Sequence, residues 1–285
     1  MFDNFIQSLR RGWAFFIASL ALLRQQSSLM VIPIMQLFIL VGLAIVGGLA
    51  IFFTIDGGGD SSELIVSVIS ALTVFLMTLV VYATMGMTVN MIDVAVNGGE
   101  PSVKEAWADV RQNFFAILVV AIISTIVSLL TSWVRENRKG IVGVIGSIIM
   151  GIVESVWTVV SFLVLPAIII EDLGFRDALS RVKNLHSKNV MTIVVGDVGV
   201  GWIVGLIAFA LVGVTAGMIY AMNAVSALSY ILIPILVLSW IAYFAFATYV
   251  RVAYHTCLFI WAAGKERDPD YQAPGPLGQA LAGID

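Results

Sequence analysis

The sequence is poor in charged residues, cysteine and histidine, and each shortage excludes a class of protein. Charged residues make up 12% of the chain, against roughly a quarter in ordinary soluble domains. The single Cys257 excludes an internal disulfide. Apart from His255 and Cys257, which a spacing of two places on different helical faces, the two histidines have no carboxylate or thiol partner at ligand spacing, so we expect no metal and no cofactor. A net charge of −3 gives no reason to expect nucleic-acid binding.

Apolar residues are abundant instead. They make up 60% of the 285 residues, more than a chain of this length can bury in water. Runs of about 20 apolar residues can cross a bilayer as helices. We therefore predict an all-α, polytopic membrane protein with six transmembrane helices. The predicted runs cover residues 29–53, 64–96, 114–133, 141–170, 190–220 and 225–249.

Residues 1–28 are predicted to form an amphipathic helix at the membrane surface. Apolar side chains recur at helical spacing from Phe2 to Phe16, and Arg10 and Arg11 lie off that stripe. The two arginines followed by an apolar stretch also resemble a signal peptide. No small-residue cleavage site follows, and the stretch ends at Arg24. We expect a retained interfacial helix, with a signal peptide as the alternative.

A short amphipathic pattern occurs three times along the chain. Residues 103–112 (VKEAWADVRQ) and 175–184 (FRDALSRVKN) carry like residues at eight of ten aligned positions, and residues 16–25 form a fainter copy. The clearest mismatch places Asp109 opposite Arg181. We predict three hairpin-like units in a domain of residues 29–264, each preceded by an interfacial helix, with two such helices near 102–112 and 174–188. Chance similarity among amphipathic helices is the alternative.

The basic residues of these segments are predicted to meet anionic lipid headgroups. They all lie on one side of a six-span layout, which the positive-inside rule assigns to the cytoplasm together with both termini. The turn at residues 135–139 is an exception, because it is basic and external in this layout. The tail at residues 265–285 is predicted to be irregular, flexible and cytoplasmic. The candidate headgroup ligands are Arg10, Arg11, Arg24, Lys104, Arg111, Arg176, Arg181, Lys183 and Lys188.

Two stretches resemble a family of uncharacterised prokaryotic six-helix membrane proteins of unknown function. They are GGEPSVKEAW at 98–107 and PAIIIEDLG at 166–174, which runs on into Asp177-Ala178-Leu179. The layout is more loosely similar to the membrane domains of some glycerophosphodiester phosphodiesterases. The resemblance covers residues 30–260 and implies a fold in a prokaryotic cytoplasmic membrane. It implies no reaction, and no phosphodiesterase domain is recognised in the sequence.

Ionisable residues inside the apolar runs are candidates for function, because charge is costly in a bilayer. Glu154 lies in the middle of the fourth run, and we consider it as a proton- or cation-binding group with Asp197 or Arg251 as its partner. Interhelical pairing, or a position at the wet headgroup level, is the alternative reading. The other candidates are Asp93 and His255, the latter four residues after Arg251 on the same helical face.

Small and aromatic residues in the runs predict packing and depth. Glycines spaced by four, such as Gly201/Gly205 and Gly213/Gly217, let helices approach closely. We interpret them as internal packing, with homodimerisation as the alternative. The tryptophans near the ends of the runs suit an interfacial belt. They are Trp13, Trp107, Trp133 and Trp261.

These patterns favour a non-enzymatic scaffold, an accessory subunit of a membrane complex or a lipid-interacting organiser. The expected partners are membrane lipids, predominantly anionic, and other membrane protein subunits, while the oligomeric state is open. A small transporter or channel using Glu154 is the alternative. A membrane-embedded lipid enzyme ranks third, because no residues stand out for its chemistry.

Overall fold

The computed structural model describes residues 2–56, 62–136, 140–225 and 228–282, with side chains for 10–55, 63–136, 144–185, 198–225 and 228–282. Within these ranges the chain forms helices joined by short turns, without a strand. A 3-10 turn at Ser27–Met30 separates the first two α-helices. The helices are α1 (Phe2–Gln25), α2 (Val31–Asp56), α3 (Ser62–Val96), α4 (Val103–Gln112), α5 (Phe114–Glu136), α6 (Gly140–Ile170), α7 (Phe175–Ala224), α8 (Ser229–Arg267) and α9 (Gly275–Leu281).

Six of the segments are long and apolar enough to cross a bilayer, so the predicted number of membrane-length helices is confirmed. Their side chains are largely exposed, as helices with lipid as their solvent would be. The candidate spans are Ser27–Ile55, Glu63–Val96, Phe114–Glu136, Val144–Ile170, Val198–Ala224 and Ser229–Arg267.

The two clearest copies of the amphipathic pattern end differently. α4 stops at Gln112, because the backbone of Asn113 leaves the helical range (φ −93°, ψ 13°) before α5 begins. The second copy instead continues into the fifth span as one helix of 50 residues, α7. Residues 180–195 contain no Gly or Pro, and extending a helix is easier than nucleating a new one. The helix is therefore continuous at residues 188–190, where the sequence pattern changes from amphipathic to apolar.

The chain divides into two compact units. Unit 1 comprises Met1–Leu37, Met91–Pro101 and Asn184–Asp285, and unit 2 comprises Phe38–Asn90 and Ser102–Lys183.

Unit 2 is centred on the pair α5–α6. Gly86 of α3 lets neighbouring helices approach: a Cβ atom at this position would lie 3.1 Å from Val110 of α4 and 3.3 Å from Ile169 of α6. Ile117 at the start of α5 closes the same cluster and is fully buried. The absence of a side chain at Gly86 thus permits α3, α4 and α6 to meet.

Unit 1 holds α1 against α8 and α9. Phe15 is fully buried, and its ring centroid lies 5.9 Å from that of Tyr254 and 5.8 Å from that of Trp261. The hydroxyl of Tyr249 donates a hydrogen bond to the carbonyl of Ser19 at 2.9 Å. The C-terminal half of α1 is therefore part of the protein core. Contact of its remaining face with lipid stays a prediction.

The C-terminal tail is folded where the sequence predicts an irregular chain. α8 extends to Arg267, and α9 follows with Pro276, Leu277 and Leu281 buried. Gly275 starts α9 with a positive φ of 59°, close to the carbonyl oxygen of Val96. The prediction of an irregular tail is wrong for these residues, because three apolar side chains in one short segment anchor it on the protein.

Candidate functional site

Tyr82 joins three helices of unit 2 through a chain of hydrogen bonds, the Tyr82 network. The indole N–H of Trp157 donates to Ser124 Oγ at 2.7 Å, and the Ser124 hydroxyl donates to the Tyr82 hydroxyl oxygen at 2.8 Å. Tyr82 donates to Ser161 Oγ at 3.1 Å, and Ser161 donates to the Thr158 carbonyl at 2.9 Å. Because a bilayer supplies no water to satisfy polar groups, these bonds fix α3, α5 and α6 to one another.

An open cleft of about 430 Å³ adjoins the Tyr82 network within unit 2. The polar part of its wall consists of Tyr82, Ser124, Thr158 and Ser161 from the network, together with Thr78 and Ser128. The rest of the wall is aliphatic, thioether and aromatic. The apolar lining residues are Leu40, Val74, Met77, Val81, Met85 and Phe162.

Glu154 does not line this cleft. Its Oε2 accepts a hydrogen bond from Arg135 Nη2 at 3.0 Å, and the two side chains are 40% and 52% exposed. The structure thus provides a partner from the last turn of α5, whereas sequence analysis considered Asp197 and Arg251. A partnership of Glu154 with Asp197 or Arg251 stays a prediction.

The register of α5 against α6 sets the depth of this ion pair. A Cβ atom at Gly146 would lie 3.5 Å from Val134 Cγ1, so these two residues stand side by side. Glu154 lies eight residues further along α6 than Gly146, about 12 Å of helix. The Arg135 side chain, next to Val134, must therefore point along the span to meet the carboxylate. Glu154 is thus not an isolated charge in the middle of its run.

The described candidates Asp93 and His255 make hydrogen bonds with residues four positions away in the chain. Asp93 accepts hydrogen bonds from the Asn97 amide at its carbonyl (2.9 Å) and at Oδ1 (3.3 Å). His255 is 1% exposed and its Nδ1 lies 2.8 Å from the Arg251 carbonyl, while the Arg251 side chain is exposed. Asp197 belongs to α7, but its side chain lies outside the described residues.

No metal site emerges from the described side chains. Among them, no three His, Cys, Asp or Glu residues lie close enough together to hold a metal ion.

A second polar cluster lies near the ends of α3, α4 and α6 and the start of α5. We name it the junction cluster (Asn90, Asp109, Asn113 and Asp172). Asp109 accepts hydrogen bonds from the Asn90 amide at 3.0 Å and the Asn113 amide at 3.3 Å. Asn113 also donates to Asp172 Oδ1 at 3.0 Å, and Asp172 has a positive φ of 50°. Burial raises the pKa of the Asp109 carboxyl, the Asn90 bond lowers it, and Asp172 and Asn113 exert smaller opposing effects.

The aligned position in the second copy also carries a partly buried pair. Arg181 donates from Nε (2.8 Å) and Nη2 (3.1 Å) to the two oxygens of Glu171. The side chains are 21% and 12% exposed. The guanidinium is therefore used inside the protein, which argues against the predicted role of Arg181 as a headgroup ligand.

A family model described as a family of unknown function, DUF6159, matches residues 64–265, more than half of the chain. The chain belongs to DUF6159. No curated protein matches the sequence. The predicted resemblance to an uncharacterised family is thus confirmed at the level of a family of unknown function. The matched region contains the whole Tyr82 network and the junction cluster.

In this DUF6159 member, the two copies of the amphipathic pattern share one burial pattern. The aligned small residues Ala106 and Ala178 are fully buried, and the aligned Val110 and Val182 are 1% and 3% exposed. In the faint copy, Ser19 takes the buried small position. The burial class agrees at nine of the ten aligned positions in the two clear copies, the exception being Val103 and Phe175.

Most of the basic candidates point outward, and two do not. Arg11 lies over the ring of Trp261, with 5.1 Å from its Cζ to the ring centroid, and Arg181 is paired as above. Lys188 has no described side chain. The exposed basic residues are Arg10, Arg24, Lys104, Arg111, Arg176 and Lys183.

The spaced glycines and one tryptophan differ from prediction. A Cβ atom at Gly201, Gly205, Gly213 or Gly217 would meet no atom within 4 Å among the described residues, so these glycines do not serve close packing there. Trp261 is 4% exposed and packs inside unit 1, so it does not belong to an interfacial belt. The other three tryptophans of the predicted belt, Trp13, Trp107 and Trp133, are 50–64% exposed.

Proposed function

We propose that this protein is a non-catalytic membrane protein that holds anionic lipids at the cytoplasmic face of a prokaryotic membrane, as a lipid organiser or as the scaffold of a larger complex. The observation that carries this proposal is the shared burial pattern of α4 and the start of α7. Two segments with the same inward small residues present the same outward basic residues. A repeated surface of this kind suits binding rather than a reaction.

The outward side of both segments combines basic and apolar side chains. Lys104 and Arg111 are exposed on α4, and the aligned Arg176 and Lys183 are exposed on α7. Between them, Trp107 is 50% exposed, and the aligned Leu179 is 37% exposed. A side chain of that type enters the acyl boundary while the basic neighbours meet headgroups. Each basic residue near an anionic surface contributes about 1 kcal/mol.

Contacts within unit 1 support the placement of both termini on one side. α9 packs against α1, and the Gln26 amide donates to the Gly99 carbonyl at 2.9 Å. The positive-inside rule assigns all of these segments to the cytoplasm. The looser similarity to the membrane domains of glycerophosphodiester phosphodiesterases fits a lipid-facing role and stays a prediction.

The test uses lipid binding to the purified protein in neutral detergent. Replacing Lys104, Arg111, Arg176 and Lys183 together by Gln should weaken the binding of fluorescent phosphatidylglycerol at least tenfold, because the electrostatic attraction is lost. Binding of phosphatidylcholine should not change.

A matched control removes charge of the opposite sign from the same helices. Replacing the exposed Glu105 and Asp177 by Gln and Asn should leave phosphatidylglycerol binding unchanged or strengthen it. Unaltered binding by the quadruple variant would refute the proposal. Recovery of a bare, lipid-free monomer from native membranes would also count against it.

The alternative function is a small transporter or channel that uses Glu154. The observation favouring it is the Arg135–Glu154 ion pair. Both residues belong to candidate membrane spans, and both side chains are partly exposed. Glu154→Gln should then abolish a proton or cation flux in liposomes while the protein stays folded. A flux equal to that of the wild type would dispose of this role.

A further inference from the structure

Three positions on one face of α3, spaced by four residues, divide the interior of unit 2 into layers. At Tyr82 lie the hydrogen-bonded hydroxyls of the Tyr82 network. One turn later, Gly86 is surrounded by apolar side chains. One further turn along, Asn90 belongs to the junction cluster. A polar layer, an apolar layer and a second polar layer therefore follow one another along the helix. The apolar layer is the plug, formed by Val110, Ile117 and Ile169.

The plug is closed in this structure. Its three side chains are buried, and their methyl carbons lie 3.1–3.6 Å from a Cβ atom placed on Gly86. α5 has no polar residue between Asn113 and Ser124, and α6 has none after Ser161. The polar residues that bracket the plug on α5 are therefore about 16 Å apart along the helix. Water does not fill such a stretch, because a buried water molecule makes about three hydrogen bonds.

On one side of the plug, hydroxyl groups extend the polar layer toward the ion pair of Glu154. Thr158 lies one turn after Glu154 on α6 and donates to its carbonyl at 2.8 Å, and Ser161 donates to the Thr158 carbonyl at 2.9 Å. The hydroxyls of Ser124, Tyr82 and Ser161 form the inner end of this row. Polar residues that face the interior of a membrane protein mark paths for protons or ions.

The chemistry of the two polar layers suits a proton better than a larger cation. A hydroxyl group both donates and accepts a hydrogen bond. A proton can therefore pass along the bonds of 2.8 and 3.1 Å that join Ser124, Tyr82 and Ser161. Oxygen atoms this close together leave no space for a hydrated ion between them. Beyond the plug, the junction cluster contains the carboxylates of Asp109 and Asp172, which are bases that accept a proton.

We propose that unit 2 contains a proton pathway, which the plug keeps closed and which leads from the Tyr82 network to the carboxylate of Asp109. A hydrophobic constriction of this kind gates a channel because it excludes water. When the plug moves, water enters between the two polar layers and joins them. The proton is taken from hydronium on one side and returned to water on the other, so only O–H bonds are broken and formed. This activity goes beyond the proposed lipid binding and does not rest on it.

The experiment measures proton entry into phosphatidylcholine liposomes that contain the purified protein and a trapped pH-sensitive dye, with a membrane potential set by potassium and valinomycin. The wild type should show a low flux. Ile169→Ser places a hydroxyl in the plug and should raise the flux roughly tenfold, because water can then enter. The matched control is Ile168→Ser. Ile168 is buried on the same helix but is not among the three side chains nearest to Gly86, so the flux should stay low.

A second pair of variants tests the carboxylate beyond the plug. In the Ile169→Ser protein, Asp109→Asn should lower the flux roughly threefold, because an amide does not take up and release the proton as a carboxylate does. Asp177→Asn removes an exposed carboxylate of α7 and should leave the flux unchanged. Equal fluxes in these two double variants would overturn the assignment of Asp109.

A wild-type flux in Ile169→Ser, or an equal rise in Ile168→Ser, would overturn the proposal. Potassium entry through Ile169→Ser as fast as proton entry, measured without valinomycin, would overturn the assignment to protons. The liposomes contain no anionic lipid, so a failure here is distinguishable from a failure of the phosphatidylglycerol test.

A variant of nearly unchanged shape decides if Ile169→Ser does not give a monodisperse protein. Val110→Thr adds a hydroxyl to the plug and should also raise the flux. Its control is Val182→Thr, at the aligned position of α7, which is buried as well. Equal fluxes in that pair would overturn the inference.

Discussion

Replacing Tyr82 by Phe removes one oxygen atom and tests whether the Tyr82 network holds unit 2 together. The ring is 9% exposed and is retained, so the substitution creates no large cavity. It removes the bond donated to Ser161 and the bond accepted from Ser124. Hydrogen bonds between membrane helices contribute about 0.6 kcal/mol on average and up to about 1.7 kcal/mol. We therefore expect the free energy of unfolding to fall by about 1–2 kcal/mol.

The assay is equilibrium unfolding in mixed micelles of increasing SDS content, followed by circular dichroism. Tyr220→Phe is the control, because Tyr220 is 78% exposed and the same oxygen atom is removed there without loss of a buried bond. A double-mutant cycle between Tyr82→Phe and Ser161→Ala should give a coupling energy of about 0.5–1 kcal/mol, as for residues in direct contact. Equal stability of the Tyr82 and Tyr220 variants, or additive effects in the cycle, would refute the reasoning.

Three further predictions concern the other polar contacts and α9. Arg181→Ala should lower the free energy of unfolding by about 2 kcal/mol, because it leaves the Glu171 carboxylate, 12% exposed, without its bidentate partner. The folded pKa of Asp109 lies above its ordinary value of 3.8, so its contribution to stability is fully present below pH 3.8 and is lost as the pH rises through the raised value. Asp109→Asn should flatten that part of the profile of unfolding temperature against pH. Gly275→Ala should speed amide hydrogen exchange in α9, because φ is 59° and a Cβ atom would lie 2.8 Å from the Val96 carbonyl oxygen.

Each of these variants has a matched control substitution that should have little effect on the measured quantity. Arg176→Ala removes an exposed arginine from the same helix as Arg181, and Asp177→Asn removes an exposed carboxylate. Gly217→Ala introduces a methyl group where no atom lies within 4 Å. Arg181→Ala behaving like Arg176→Ala, an unchanged pH profile for Asp109→Asn, or unchanged exchange in Gly275→Ala would contradict the respective argument.

The six membrane-length helices are predictable because apolar length is a property of each run by itself. The ends of the helices are less predictable. Residues 103–112 and 175–184 are alike, yet α4 stops and α7 continues. The break follows Asn113, whose side chain bonds to Asp109 and to the distant Asp172, and no local pattern encodes the second contact. The order of α9 likewise depends on its contact with α1, far away in sequence.

Part of the candidate site could not be predicted for the same reason, because its contacts join residues that are far apart in the sequence. Tyr82, Ser124 and Ser161 are 42 and 37 residues apart along the chain, and a hydroxyl in an apolar run carries no spacing signal. Glu154 stands out in the sequence because a carboxylate in an apolar run is rare. Its partner Arg135 does not, because only the register of α5 on α6 makes the two meet. The aligned Asp109 and Arg181 differ in charge because each makes a different contact. Asp109 accepts hydrogen bonds from Asn90 and Asn113, whereas Arg181 pairs with Glu171.

The seating of α9 on α1 has a practical consequence for anyone who maps the orientation of this protein with reporter fusions. Truncation of the chain after Arg267 removes Leu277 and Leu281, and with them the α9 surface that packs against α1. A fluorescent or enzymatic tag in that place would report on a chain whose N-terminal helix has lost its cover. A tag attached after residue 282 leaves the contact between α9 and α1 intact.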